Sequence, residues 1–241
     1  MAIYRKTARH HTGAQVYCCE KSPSPEDMKR LFTLILIAVV VALTAWLNPF
    51  AEELTTREKW QLLCGALEAP NMSAEDVEAL IDKYDIDVNA SQGVASPMQF
   101  AVYSGDAAKV RLLLARGASV NVGTSGPYSL PHKAVVEGNI PVLQALLEGG
   151  CDIECGDFKQ GFTLLMCAVA ANQPTVAEWL LQHGAQVNYR STQLYREMEH
   201  DFTALHVAAW HKNRSMYELL VAHGADETLR DEGGKTAREY L

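Results

Sequence analysis

The sequence contains no glycine-rich phosphate loop, no His-Glu-x-x-His pair and no Gly-x-Ser-x-Gly elbow. It therefore presents no nucleotide cradle, zinc-protease site or esterase nucleophile. Positive charge is scarce as well: 21 Lys and Arg stand against 29 Asp and Glu. The shortfall lies downstream, since residues 52–241 hold 15 basic against 26 acidic residues, whereas residues 1–51 hold six against three. An acidic domain lacks the cations that phosphate binding requires, which excludes nucleic acid as a partner. With no reaction centre, neither a cofactor nor a small-molecule substrate is expected, and the predicted function is non-enzymatic.

Long apolar runs are absent with one exception, the 17 uncharged residues Leu31 to Leu47 behind Lys29 and Arg30. As a helix this run spans about 25 Å, inside the usual range for a membrane-crossing segment. Leucine and β-branched residues cover its whole circumference, leaving no polar face for water, so a buried core helix does not fit. Arg5, Lys6, Arg9, Lys21, Lys29 and Arg30 precede it, and Glu52 and Glu53 follow. The positive-inside rule then keeps residues 1–30 in the cytoplasm and exports the remainder, with Trp46 and Phe50 at the far interface. Met28-Lys29-Arg30 directly ahead of the run has the layout of a bacterial signal sequence, which makes Met28 the expected start and residues 1–27 an extension. A small-x-small cleavage site is missing, because Ala45 follows Leu43 and Ala51 follows Pro49, and no cysteine is placed for lipidation. The expectation is a single-pass inner-membrane anchor with a periplasmic domain; the alternative is a periplasmic domain released by signal cleavage.

Downstream, one pattern recurs. Thr203-Ala-Leu-His-Val-Ala-Ala has counterparts beginning at Ser96, Ser129 and Thr163, at spacings of 33, 34 and 40 residues. In each copy a glycine follows 21 residues after the Ser or Thr: Gly117, Gly150, Gly184 and Gly224. The hydroxyl residue caps a first helix, and proline or a small residue suits its first turn. Ala101, Ala134, Ala168 and Ala208 permit close helix approach, and the glycine ends a second helix where a left-handed residue costs least. Such a unit cannot bury its apolar face alone, so copies must stack.

This wording at a period near 33 resembles the ankyrin repeat, over roughly residues 58–241. The resemblance implies an all-α solenoid of helix-turn-helix units with connecting fingers. Residues 58–91 form a degenerate first repeat, repeats follow at about 93–122, 127–155, 162–188 and 202–231, and 232–241 is a C-terminal cap. It implies a structural role for the motif histidine, matched by His132 and His206, imitated by Gln99 and impossible for Met166. It also implies that the partner is another protein. Exported members of the family suggest two narrower roles: an immunity protein neutralising a periplasm-acting toxin, or an accessory factor of a periplasmic enzyme such as a catalase.

Candidate contact residues follow from the register. Tyr128, Phe162 and Phe202 immediately precede their Ser or Thr caps, so stacking should align three rings along one edge of the groove. The resemblance turns this position, and the one holding Tyr103 and Trp210, toward the concave face, where aromatics serve as anchors. His211 adjoins Trp210. The 40-residue spacing places an insertion around residues 191–200 whose Leu194, Tyr195 and Met198 are apolar side chains on a loop. His183 and His223 read as helix ends. Cys151 and Cys155 lack two further ligands for a metal, and on an extended finger their Cα atoms would lie about 13 Å apart, too far for a disulfide.

Overall fold

The structure, a computed structural model, describes residues 54–91, 95–120, 129–156, 161–191 and 201–241. They lie in one compact unit, Glu53–Leu241. Ten α-helices occur among the described residues: α1 Thr56–Glu68, α2 Ala74–Tyr84, α3 Pro97–Ser104, α4 Ala107–Ala115, α5 Leu130–Val136, α6 Ile140–Glu148, α7 Leu164–Ala170, α8 Pro174–Gln182, α9 Ala204–Trp210 and α10 Arg214–Ala222. A 3₁₀ turn, Ala237–Tyr240, follows. There is no β-strand among the described residues, where an isolated Arg230–Thr236 bridge stands alone. None of these helices is long and apolar enough to cross a membrane. The run Leu31 to Leu47 lies outside the described residues.

Local chemistry sets where each helix starts. Thr55 and Glu58 cap α1 reciprocally, and Ser73 with Asp76 does the same for α2. Ser96 and Gln99 repeat the box at α3, which also opens on Pro97, a residue whose missing N–H is harmless there. Second helices begin on Asp106, Asn139 and Asn213, whose side chains accept from first-turn N–H groups. After each of α4, α6, α8 and α10 the backbone turns left-handed at Gly117, Gly150, Gly184 and Gly224, with φ between 80° and 96°. A side chain there would be strained.

Stacking builds the core. First helices α1, α3, α5, α7 and α9 pack in one row, while α2, α4 and α6 pack in another behind them. Ala101, Ala134, Ala168 and Ala208 are all fully buried at the seam. Polar side chains tie successive turns together: Asn139 Nδ2 donates to Gly105 O at 2.9 Å, and Gln173 Nε2 donates to Val136 O at 2.9 Å. Asn213 Nδ2 continues the series to Asn172 Oδ1 at 2.7 Å.

Fingers are tied by one asparagine position. Asn89 accepts from Ser119 N and donates to Gly117 O, both at 2.9 Å. Asn188 accepts from Asp226 N at 2.9 Å and donates to Gly224 O at 3.2 Å. Glu154 holds the equivalent place. Its Oε1 accepts from Gln186 N at 2.6 Å, but its Oε2 is buried without a hydrogen-bond partner.

Lys109 in α4 is 2% exposed. Its ammonium donates to Ala66 O, Leu67 O and Ala69 O at 3.3, 3.0 and 2.8 Å, closing the C-terminal end of α1. Those carbonyls have no partner within their own helix, and a cation suits the negative end of its dipole. Burial lowers the Lys109 pKa, with the Asp106 carboxylate opposing the shift.

Candidate protein-binding surface

Two histidines brace the array. His132 Nδ1 meets Ser129 Oγ at 2.6 Å and Nε2 meets Phe162 O at 2.8 Å. In the last full repeat His206 Nδ1 accepts from Thr203 N at 3.3 Å and meets Thr203 Oγ1 at 2.8 Å, while Nε2 lies 3.2 Å from Lys235 O. Since a carbonyl only accepts, Nε2 carries the proton and Nδ1 is free to accept, so His206 is neutral. Burial holds its pKa below the ordinary histidine value. Gln99 reproduces half of this brace, accepting from Ser96 N at 2.8 Å. Met166 sits in the same position with no polar side-chain atom, and its backbone N–H donates to Thr163 Oγ1 at 3.3 Å.

The candidate contact residues divide. Phe162 and Phe202 are 4% and 2% exposed, so neither forms a free groove edge. The reason is local: Phe162 supplies the carbonyl that His132 grips, and the Phe202 ring packs at 5.3 Å on His206 and 5.8 Å on Tyr240. Rings that precede the cap cover it. Tyr128, Leu194, Tyr195 and Met198 lie outside the described residues.

Tyr103 and Trp210, by contrast, are 48% and 41% exposed. Each stands seven residues after its Ser or Thr, and the same register holds half-buried Val136 and Ala170 in the repeats between. This row is therefore apolar throughout, with an exposed aromatic near each end. Lys133 Nζ lies 5.4 Å from the Tyr103 ring centre and pairs with Glu137 at 2.5 Å. Trp210 rests edge-on against Phe202 at 6.4 Å and against Tyr240 at 5.6 Å, so it is held in place while part of the indole faces solvent.

Beside Trp210 opens a cleft of about 590 Å³ between the turns of adjacent repeats, lined by Ala170, Asn172, His211, Lys212, Arg214 and Ser215 among others. His211 is exposed at its rim. Lys212 sits at the tight turn with φ 55°, and its ammonium donates to Tyr240 O and, at 3.3 Å, to Leu241 O. Sequence reading found His211 here but missed Lys212 and Arg214. The signal for Lys212 was its place in the turn, where other repeats carry Gly105, Gly138 and Asn172.

The remaining polar groups are structural. His183 Nδ1 lies 2.7 Å from Trp179 O with its ring stacked on that indole, and His223 Nδ1 lies 3.0 Å from Leu219 O. The finger at Cys151 and Cys155 is a turn rather than extended chain, closed by the Cys155 N–H on Asp152 O at 3.1 Å. Sequence reading had placed these cysteines far apart. Both thiols are free, and burial pushes Cys151 up to about 11 and Cys155 up to about 12. They stay protonated at neutral pH, which disfavours nucleophilic and metal-binding roles. Among the described residues no cluster of three or more His, Cys, Asp or Glu could hold a metal.

Residues 131–231 match the family model for ankyrin repeats in three copies. Residues 131–231 are ankyrin repeats. The chain is 34% identical over 122 residues to alpha-latrotoxin-Lg1a of Latrodectus geometricus, covering 50% of this chain and 8% of that protein. A putative ankyrin repeat protein of fowlpox virus, FPV034, is 28% identical over 143 residues, covering 59% of this chain and 31% of the relative. A putative ankyrin repeat-containing protein of the bacterium Treponema pallidum is 29% identical over 139 residues, covering 58% and 44%. The chain spans under half the length of each of these relatives. Ankyrin repeats are non-enzymatic protein–protein interaction modules, and their stacking creates an extended surface suited to that use.

Proposed function

We propose that this ankyrin array captures a partner protein in the bacterial envelope, held at the inner membrane by Leu31 to Leu47 with its repeats in the periplasm. The observation that carries the binding reading is the row Tyr103, Val136, Ala170 and Trp210: an apolar strip whose terminal aromatics remain about half exposed while Trp210 is fixed from behind. Preorganised aromatics lose little freedom on docking and dominate interface energetics. The envelope location rests on the charge asymmetry around the apolar run, with six basic residues before it and Glu52 and Glu53 after. The role proposed is recognition, the use that ankyrin repeats serve as interaction modules.

The test combines topology with capture. A protease-accessible tag inserted in the repeats should be cut only after the outer membrane is permeabilised. Tyr103→Ala and Trp210→Ala should each weaken recovery of the partner, assayed well below the melting midpoint of each variant. Capture indifferent to both substitutions would refute the binding surface, and a tag shielded until the inner membrane is opened would refute the topology.

A further inference from the structure

The cleft beside Trp210 is charged against the sign of its surroundings. Residues 52–241 carry 26 acidic against 15 basic side chains, yet the cleft lining presents His211, Lys212 and Arg214 and no Asp or Glu. We infer that the partner presents an acidic peptide segment, whose carboxylates enter this cleft while a neighbouring apolar side chain packs on Trp210. This rests on the protein-binding reading above and gives the partner its chemistry.

The cations are arranged to receive a carboxylate. The Lys212 ammonium donates to Tyr240 O and Leu241 O, which fix its position. Arg214 is 85% exposed, and its contact is a surface pair with Glu218 at 3.5 Å. Such pairs contribute little, so an incoming carboxylate can take the place of Glu218. Arg214 and Ser215 also open the nine-residue α10, whose dipole favours negative charge at that end. The opposite wall is tied to this one by the Asn213–Asn172 bond at 2.7 Å, so the cleft exists before the ligand arrives. Ala170 lines the cleft and shares the Trp210 row, which joins the charged site to the apolar strip. A segment with acidic residues next to a leucine or phenylalanine meets both. A basic segment is repelled by the cations of the cleft, and a nucleic acid strand by the acidic domain around them.

The test uses the full chain in uncharged detergent micelles and two short fluorescent peptides read by anisotropy: one of Glu and Asp around a central Leu, the other of Lys and Arg around the same Leu. The acidic peptide should bind saturably and more weakly as salt rises, since exposed charges are screened. Arg214→Glu, a change the start of a helix tolerates, should reduce its affinity about tenfold, while Arg111→Glu, elsewhere on the second-helix row, should leave it unchanged. Failure of the acidic peptide to bind, indifference to Arg214→Glu, or preference for the basic peptide or a single-stranded oligonucleotide would overturn the inference. Capture of the native partner separates this from the reading beneath it. Loss with Trp210→Ala but retention with Arg214→Glu sinks the acidic segment and leaves protein binding standing; retention with both sinks the two together.

Discussion

Replacing Glu154 with asparagine should make the protein more stable, although Glu154 already makes a hydrogen bond of 2.6 Å. At the same place in other fingers, Asn89 and Asn188 use one amide atom to accept a backbone N–H and the other to donate to a glycine carbonyl. Glutamate has only acceptors when ionised, and its Oε2 is enclosed without a partner. An unsatisfied buried acceptor costs about 1–3 kcal/mol. Because Glu154 is only partly buried, the gain from Glu154→Asn should fall near the low end, about 1 kcal/mol, which raises the melting midpoint by about 2–4 °C in a domain of this size. The gain must also depend on pH. Burial raises the Glu154 pKa above its ordinary 4.5, so between those two values the folded chain holds a proton that the unfolded chain has lost. Stability contributed by the protonated form is then present at low pH and disappears as pH rises through the folded value. The variant should therefore exceed the parent most at neutral pH and converge on it toward pH 4.5. Glu154→Asp, which keeps the charge, should bring no gain. Paired thermal melts across this range measure it; a lower midpoint for Glu154→Asn, or a gain independent of pH, would refute the reasoning.

Lys109→Met should cost about 2–3 kcal/mol by leaving the Ala66 and Leu67 carbonyls unpartnered at a buried helix end, while Ala69 O keeps the Met72 N–H, seen as a lower melting midpoint and faster amide exchange in α1. His206→Gln, which copies the part Gln99 plays, should be mild at neutral pH and should flatten the acid limb of the stability profile. The sign follows from the lowered His206 pKa: the unfolded chain binds the proton first as pH falls, so stability is lost on acidification below the ordinary histidine range, which urea titrations at several pH values would show. Cys151 and Cys155, with raised thiol pKa values, should react with a thiol-directed alkylating agent at neutral pH far more slowly than a free cysteine, and mass spectrometry over time would register equal rates if the buried environment were wrong.

The features legible in sequence are those where one residue answers a local backbone demand. Ser96 and Thr163 cap helices, and Gly117 to Gly224 turn the chain left-handed, because capping and positive φ are decided within a few residues. His132 and His206 could be placed as braces for the same reason. What escaped depends on the neighbouring repeat. Phe162 and Phe202 looked like groove residues because aromatics ahead of a cap resemble anchors, yet both are buried, Phe202 against His206 and Tyr240 and Phe162 where the preceding repeat's His132 meets its carbonyl. Lys109 reads as an ordinary solvent-facing lysine until α1 is seen ending against it. The Cys151–Cys155 finger was taken as extended, when its Asp152 carbonyl closes a turn. Lys212 and Arg214 became interesting only once the turns of two repeats were seen to enclose a cleft.

The central claim is that a protein partner docks on the Trp210 edge, and site-specific photocrosslinking in intact cells tests it most directly. A photoreactive residue at Tyr103 or His211 should yield a discrete adduct with one partner protein, lost when Trp210→Ala is introduced, while the same probe at the exposed Glu178 of the second-helix row should yield none. Adducts from Glu178 alone, or the same adduct from all three positions whether or not Trp210 is present, would contradict it.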